Sequence, residues 1–264
     1  MSRKLKIGIL EYGNIAPLLA AMPPLDRFQF VPGVPSQLNQ WLLRGSLDAG
    51  FVSTAQWCTH RSLLTHAGGV GIVSHGSVES VVLLGTRAPL EELIAGTTPL
   101  AVHVTPASAT SVALTRILAR EFWTWGNRVT FVKNLKFANL RLLIGDEALI
   151  ANQSSTESLL DLGEEWLAFS GESMVWAIFC IRRGFPISEF QDLVDSLRRA
   201  AGAPDRTGVA PGLALRLGID LEATRSYLDR IRYEIDTSAV VGLETFCRAQ
   251  GRIPTKTPSS VIEA

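Results

Sequence analysis

The chain has 264 residues, 47% hydrophobic and 19% charged, so it is long and apolar enough to bury a core and is not disordered. Its 25 basic and 25 acidic residues balance, which excludes the basic face of a nucleic-acid-binding protein. We therefore expect a small-molecule partner, with no nucleic acid and no membrane.

Strand-like and helix-like segments alternate over the first two thirds of the chain, which predicts an α/β fold with a largely parallel sheet. Strands are predicted at 6–10, 28–31, 47–53, 71–73, 78–84, 100–104, 129–132, 141–144 and 174–181. Helices are predicted from 15, from a cap at Ser36 to a stop at Gly45, and at 89–94, 111–121 and 163–169. From Ser188, read as a helix cap, the pattern is helical, with further helices at 220–231 and 238–250.

The cysteines and the apolar runs bear on the compartment. Cys58, Cys180 and Cys247 are odd in number and widely spaced, which argues against a disulfide framework and favours a reducing compartment. The apolar run after Lys6 is too short for a signal peptide, and the run from Met174 to Ile181 is too short to span a membrane. We predict a cytoplasmic protein.

The stretch from Arg141 to Leu149 contains a strand that ends in Gly145-Asp146. Ligands of open α/β sheets bind at the carboxyl edge of the strands, where this small backbone and carboxylate would lie. Asn14 follows Gly13 at the end of the first strand in a similar way. These segments predict a cleft for a small anionic molecule, with Gly145 and Asp146 among its binding residues.

Hydroxyl groups precede the helix predicted from Ser111. Ser108-Ala109-Thr110-Ser111, with the unpaired N–H groups of a first helical turn, would bind a carboxylate or phosphate. Simple helix capping explains these residues equally well.

Other polar residues at strand ends have two readings as well. Ser53-Thr54 ends the third strand and Ser80 follows Ser77-Val-Glu, so both places would present hydroxyls to the same cleft. The alternative for Asn14, and equally for Asp146, is a helix cap.

The usual catalytic and metal-binding motifs are absent from the sequence. The four histidines show no HExxH pattern, zinc-ligand spacings are missing, and there is neither a GxSxG elbow nor a P-loop. The glycines from Gly68 to Gly71 lack the following helix of a dinucleotide site. We predict no metal and no cofactor.

Several segments together, in matching order over nearly the whole chain, resemble the chorismate dehydratase family of the futalosine route to menaquinone. They are Tyr12-Gly-Asn14 with Pro17-Leu18, Gly45-Ser-Leu-Asp-Ala-Gly50 through Ser53, Val78-Glu-Ser80-Val81, Ser108-Ala-Thr-Ser-Val-Ala-Leu114, Leu142-Leu-Ile-Gly-Asp-Glu-Ala-Leu149, Asp161-Leu-Gly-Glu-Glu-Trp166, Ile231-Arg-Tyr233 and Gly242-Leu-Glu-Thr-Phe246.

The resemblance implies a type II periplasmic-binding-protein-like fold, with two α/β lobes and a ligand cleft between them. We place lobe 1 at residues 1–85 plus 181–264 and lobe 2 at 86–180. The resemblance also implies loss of water from chorismate to give 3-[(1-carboxyvinyl)oxy]benzoate. Asn14 and Ser80 match the family's functional pair, and a carboxylate of the substrate itself would take the ring proton.

Two departures from the family pattern concern the substrate. Ser170-Gly-Glu-Ser-Met-Val-Trp-Ala177 stands where the family has Thr-Gly-Leu-Pro-Phe-Val-Phe-Ala, and Gly13 replaces a leucine before Asn14. A relative acting on another chorismate-like acid therefore stays open. So do a non-catalytic binding protein for a small carboxylate and the dihydroxynaphthoate synthase of the same pathway, which relies on a cleft histidine.

Overall fold

The computed structural model describes residues 3–86, 88–104, 107–123, 125–154 and 159–252. The strands within these ranges are β1 Leu5–Leu10, β2 Phe28–Gly33, β3 Ala49–Ser53, β4 Leu64–Ser74, β5 Val81–Gly85, β6 Leu100–His103, β7 Val129–Val132, β8 Leu140–Ile144, β9 Leu160–Asp161, β10 Met174–Arg182 and β11 Arg232–Glu234. The α-helices are α1 Ala16–Ala20, α2 Pro35–Arg44, α3 Thr54–Thr59, α4 Leu90–Ala95, α5 Ala109–Glu121, α6 Gly145–Ser154, α7 Leu162–Ser170, α8 Gln191–Gly202, α9 Arg206–Leu217, α10 Leu221–Arg230 and α11 Thr237–Gly251. None of these helices combines the length and the apolar character that a membrane crossing requires.

The strands form two sheets. A six-stranded sheet has the order β11-β4-β10-β3-β1-β2, and a five-stranded sheet has the order β7-β6-β8-β5-β9. In the first sheet β1 runs parallel to β2 and β3, whereas β10 runs antiparallel to β3 and β4. In the second, β6 runs parallel to β7 and β8, whereas β5 runs antiparallel to β8 and β9. The α/β class is confirmed, but the prediction of a largely parallel sheet is wrong. Strand β5 follows β4 of the first sheet, and β10 follows β9 and α7 of the second, so neither strand is preceded in the chain by a strand of its own sheet. A parallel pair in βαβ form needs a helical crossover between two strands of one sheet.

The chain passes between the sheets twice, along residues 75–80 and 171–173. His75 Nδ1 lies 3.2 Å from Ser173 Oγ, so the two crossings contact each other. Sheet membership divides the chain differently from the predicted lobe ranges. Strand β5 belongs to the second sheet but lies within the range of predicted lobe 1, and most of β10 belongs to the first sheet but lies within that of predicted lobe 2. The continuous apolar runs of these strands do not indicate where the chain changes sheets.

The core is shared by both sheets. Strand β10 is buried from Met174 to Ile181, because it lies between β3 and β4 and is covered on both faces. Helix α8 buries Leu193, Val194 and Leu197, as its sequence period predicts.

Two predicted helix caps are wrong. Ser188 lies within a 3-10 turn, and Phe190 precedes α8. Ser36 lies inside α2, which begins after Val34, whose N–H donates to Gln37 Oε1 at 3.3 Å. Pro35 explains the earlier start, since proline suits the first helical turn. Helix α9 was not predicted, because Pro211 and two glycines interrupt its pattern.

The prediction against disulfides is also wrong. Cys58 of α3 and Cys247 of α11 form a disulfide, with their Cα atoms 5.4 Å apart across 189 residues of sequence. Packing of α11 against α3 brings the two cysteines within bonding geometry, which their spacing in the sequence does not indicate. Cys180 is free and buried in β10.

Candidate active site

A cleft of about 520 Å³, its open mouth included, lies where elements of both sheets meet. Six of the predicted site residues line it, namely Asn14, Ser53, Ser80, Ser108, Ser111 and Gly145. The other lining residues are Leu10, Tyr12, Pro35, Ile72, Val78, Val81, Ile144, Trp176 and Ala177.

Asn14 reaches the cleft from the turn that follows β1. Its backbone carbonyl accepts a hydrogen bond from the Tyr233 hydroxyl at 2.7 Å, which fixes the turn. Its side chain caps neither the 3-10 turn 13–15 nor α1, so the capping alternative is wrong. Within the part of the chain that the structure describes, no group donates to the buried Asn14 Oδ1. A buried acceptor without a partner, beside a cleft, is a place for a ligand donor.

Ser80 enters the cleft from the first crossing between the sheets. Ser80 is only 2% exposed, and its backbone carbonyl accepts a hydrogen bond from the Gly145 N–H at 2.7 Å. The Tyr227 phenol forms a hydrogen bond with the Ser80 side chain. Burial raises the pKa of Tyr227, and this hydrogen bond lowers it. Ser80 is therefore held by groups from α6 and α10.

Ser108 and Ser111 stand at the start of α5. Ser108 Oγ accepts from the Ser111 N–H at 3.2 Å and lies 2.9 Å from Ser111 Oγ. Ser108 is thus the helix cap that the simpler interpretation predicted, and both serines also line the cleft. The positive end of the helix and these hydroxyls favour a carboxylate here.

Ser53 is oriented by a buried amide. Asn39 of α2 donates to Ser53 Oγ at 2.9 Å and accepts from the Ser53 N–H at 3.0 Å. Because the hydroxyl oxygen already accepts from Asn39, its own proton is left to donate into the cleft. The role of Asn39 was not predicted, since an amide in an amphipathic helix has no distinctive pattern.

Gly145 is required by the backbone at the end of β8. Its φ is +60°, and a Cβ there would lie 2.8 Å from a ring carbon of Tyr12. A side chain would therefore displace the Tyr12 ring from the cleft wall.

Four predicted binding residues do not line the cleft. Asp146 Oδ1 accepts from the Gly13 N–H at 3.0 Å and so holds the turn of Asn14, while Oδ2 pairs with Arg216 of α9 at 2.7 Å. The Thr54 hydroxyl donates to the Val175 carbonyl at 2.6 Å. The Thr110 hydroxyl donates to the Trp176 carbonyl at 3.1 Å, and Ala109 is the half-buried first residue of α5. These groups connect elements of the fold instead of facing a ligand.

Two aromatic residues of the cleft wall were not predicted as site residues. Tyr12 precedes Gly13-Asn14 in a segment already singled out, so position alone was a usable signal. Burial, reinforced by the Asp146 charge, raises the pKa of Tyr12 to about 12, which keeps its phenol protonated. Trp176 lies within the segment that departs from the family pattern, and its indole N–H donates to Ser74 Oγ at 3.0 Å.

The lining is electrically neutral. None of the described residues that line the cleft is an aspartate, glutamate, histidine, lysine or arginine. Polar contacts to a ligand there come from hydroxyls, the Asn14 amide and backbone N–H groups, which orient and stabilise charge without exchanging protons at neutral pH.

Comparisons with known proteins agree on family and fold. The sequence profile of a family described as menaquinone biosynthesis matches residues 5–251. A chorismate dehydratase of Thermus thermophilus is 29% identical, over 93% of this chain and 94% of that protein. A structure from Archaeoglobus fulgidus superposes with a TM-score of 0.72 at 13% identity, covering 94% of this chain and 98% of the other. The periplasmic aliphatic sulphonate binding protein of Escherichia coli gives a TM-score of 0.63 at 14% identity, covering 94% and 86%. The predicted periplasmic-binding-protein-like fold is confirmed.

Proposed function

The chain belongs to the menaquinone-biosynthesis family, and we propose that it is a chorismate dehydratase, a hydro-lyase that converts chorismate to 3-[(1-carboxyvinyl)oxy]benzoate. The similarity to the Thermus thermophilus enzyme covers nearly all of both chains, which supports a shared activity. The substrate is a small dicarboxylate. We place the reaction in the cytoplasm because the relative is a biosynthetic enzyme, since the Cys58–Cys247 disulfide removes the argument from the cysteines.

The reaction breaks one C–H bond and one C–O bond of the cyclohexadiene ring. The electron pair of the C–H bond becomes the last double bond of the aromatic ring, and the hydroxyl leaves with a proton as water. Because the product is aromatic, the reaction is strongly downhill. The protein therefore has to orient the substrate and stabilise charge more than supply a strong base.

The observation that supports this proposal is a cleft without ionisable side chains, lined by polar residues from separate parts of the fold. Asn14 comes from the first sheet and Ser80 from the crossing, and both face the same cleft as Ser108 and Ser111. In our proposal Asn14 and Ser80 contact the reacting part of the ring and the leaving hydroxyl, while the start of α5 binds a carboxylate. A second carboxylate of the substrate accepts the ring proton, so no side-chain base is needed.

Incubation of the purified protein with chorismate tests this function. We expect the chorismate absorbance to be replaced by that of an aromatic product lighter by one water, with Ser80→Ala strongly slowed. Binding of chorismate without any turnover would contradict the proposal and indicate a carboxylate-binding protein.

A further inference from the structure

The turn that presents Ser80 is strained. Glu79 has φ of 55° and is the single non-glycine residue with a positive φ in the described part of the chain. The Ser80 N–H donates to the Val78 carbonyl at 2.6 Å, which closes a three-residue turn around Glu79. Such turns persist only where their surroundings hold them, and they concentrate at functional sites.

The carboxylate of Asp161 holds this turn. Asp161 ends β9 and is 9% exposed. Its Oδ2 accepts from the Glu79 N–H at 2.6 Å, the Val78 N–H at 3.0 Å and the Ser77 hydroxyl at 2.9 Å. These donors belong to three successive residues directly before Ser80, so one oxygen gathers the whole turn.

The other oxygen of Asp161 mainly serves a helix. Oδ1 accepts from the N–H groups of Gly163 at 2.7 Å and Glu164 at 3.2 Å, and so caps α7. It also shares the Val78 N–H with Oδ2, at 3.1 Å. A Cβ on Gly163 would lie 2.3 Å from the Gly76 carbonyl, so the loop before the turn packs directly on the start of this helix. Asp161 therefore joins the Ser80 turn to a fixed element of the second sheet.

A charged side chain from another helix also contacts the turn, through Glu79. Arg230, at the end of α10, lies 2.6 Å from Glu79 Oε1. Burial raises the pKa of Glu79, and the Arg230 charge opposes that shift. The turn is thus held through its backbone by Asp161 and through the Glu79 side chain by Arg230.

We propose that Asp161 is a positioning residue for Ser80, fixing, chiefly through its Oδ2, the strained turn that places Ser80 in the cleft wall. This inference rests on the proposed function, in which Ser80 contacts the substrate. It gives the Asp161-Leu-Gly-Glu-Glu segment a role in the reaction beyond capping a helix.

Asp161→Asn separates the two roles of the carboxylate. Asparagine is a good helix cap and retains Oδ1, which also accepts from the Val78 N–H at 3.1 Å. Its NH₂ group cannot accept the hydrogen bonds that the Glu79 N–H and the Ser77 hydroxyl donate to Oδ2 alone. We expect kcat on chorismate to fall at least about tenfold with KM within about threefold, because a small displacement of a reacting group is costly in rate. Asp205→Asn is the matched control: Asp205 Oδ1 caps α9 by accepting from Gly208 at 2.8 Å, and kcat should stay within about twofold.

The dependence on Ser80 is tested in a double-mutant cycle. If Asp161 acts through Ser80, adding Asp161→Asn to Ser80→Ala should lower kcat by less than about twofold further. An equal loss in both backgrounds would overturn the proposal, as would a wild-type kcat in folded Asp161→Asn. Should that variant fail to fold, Ser77→Ala removes one donor of the same oxygen. It should lower kcat by about two- to fivefold, again only when Ser80 is present. An unchanged kcat in Ser77→Ala would contradict the proposal.

Hydrogen exchange measures the protection of the amides in the turn independently of enzyme activity. In Asp161→Asn the Glu79 amide should exchange at least about tenfold faster, while the Glu164 amide stays as in the wild type. If the wild type fails to convert chorismate, the proposed function is lost, and this measurement still decides the role of Asp161. Unchanged exchange at Glu79 would overturn it.

Discussion

The Asn14 side chain combines three features that mark a ligand contact. It lines the cleft, its Oδ1 is buried without a protein donor among the described residues, and its backbone is fixed by Tyr233. Asparagine residues that only cap a helix lack this combination, because their side-chain oxygen accepts from the first turn.

Asn14→Ala should therefore reduce kcat by about 100-fold or more, the usual loss when one preorganised polar contact to a transition state is removed. The fold should remain, since no described hydrogen bond is donated to the Asn14 Oδ1. Steady-state rates with chorismate, beside a circular dichroism melt, check both expectations. Turnover at the wild-type rate would refute the role of Asn14.

The chain has only three tyrosines, and the pKa of each is raised above its ordinary value. Burial raises the pKa of Tyr12 to about 12 and raises the pKa values of Tyr227 and Tyr233 as well. Since the ordinary value is 10.0, the unfolded chain loses its phenol protons first as pH rises.

The free energy of unfolding should therefore be unaffected by these groups well below pH 10 and fall as pH rises from about 10 to 12. At pH 10 the folded protein should show little phenolate absorbance, while the chain in denaturant should be about half ionised. Equal ionisation of both forms at pH 10 would contradict the burial of these phenols.

Single residues were predictable as cleft residues where a motif fixed the backbone, and their roles toward a substrate stay predictions. Asn14, Ser80, Ser108 and Gly145 were predicted because strand ends and helix starts mark the edge of a sheet. Asp161 entered the prediction only as part of a segment that resembles the family, just before the helix predicted at 163–169. Its contacts with residues about 80 positions away have no signal in one sequence.

At the scale of elements, α3 and α11 are tied together in two ways. The disulfide joins Cys58 to Cys247, and Gln250 donates to the Ala55 carbonyl at 3.1 Å. Helix α3 begins directly after Ser53 of the cleft, so this contact links the last helix to the site.

The double variant Cys58→Ser with Cys247→Ser should lower the free energy of unfolding by about 2–4 kcal/mol, because a cross-link over a long loop restricts the unfolded chain. Its kcat should stay within about twofold, since Gln250 and helix packing still hold α11 on α3. Chemical denaturation and the chorismate assay measure the two quantities, with the wild type under reducing conditions as the control, since it also lacks the cross-link. A loss of activity without a loss of stability would show that the disulfide acts on the site itself.

Elements were predictable where their periodicity was regular. Strands β1, β2, β7 and β10 and helix α5 follow their predicted segments closely. The antiparallel directions of β5 and β10 were not predictable, because strand direction depends on the route of the chain between sheets and not on the residues of the strand.

At the scale of the whole molecule, two sheets place polar groups from distant parts of the chain around one neutral cleft. Asp146 contributes to this arrangement from outside the cleft, by holding Gly13 and Arg216. The fold resembles that of a sulphonate binding protein, and in the proposed function this architecture orients the substrate for the reaction.

A crystal structure of the protein with 3-[(1-carboxyvinyl)oxy]benzoate tests the central claim most directly. We predict that the product lies in the cleft between Asn14 and Ser80, with one carboxylate at Ser108 and Ser111 and no ionisable side chain against the ring. A product bound outside this cleft, or turned with both carboxylates away from the start of α5, would contradict the account.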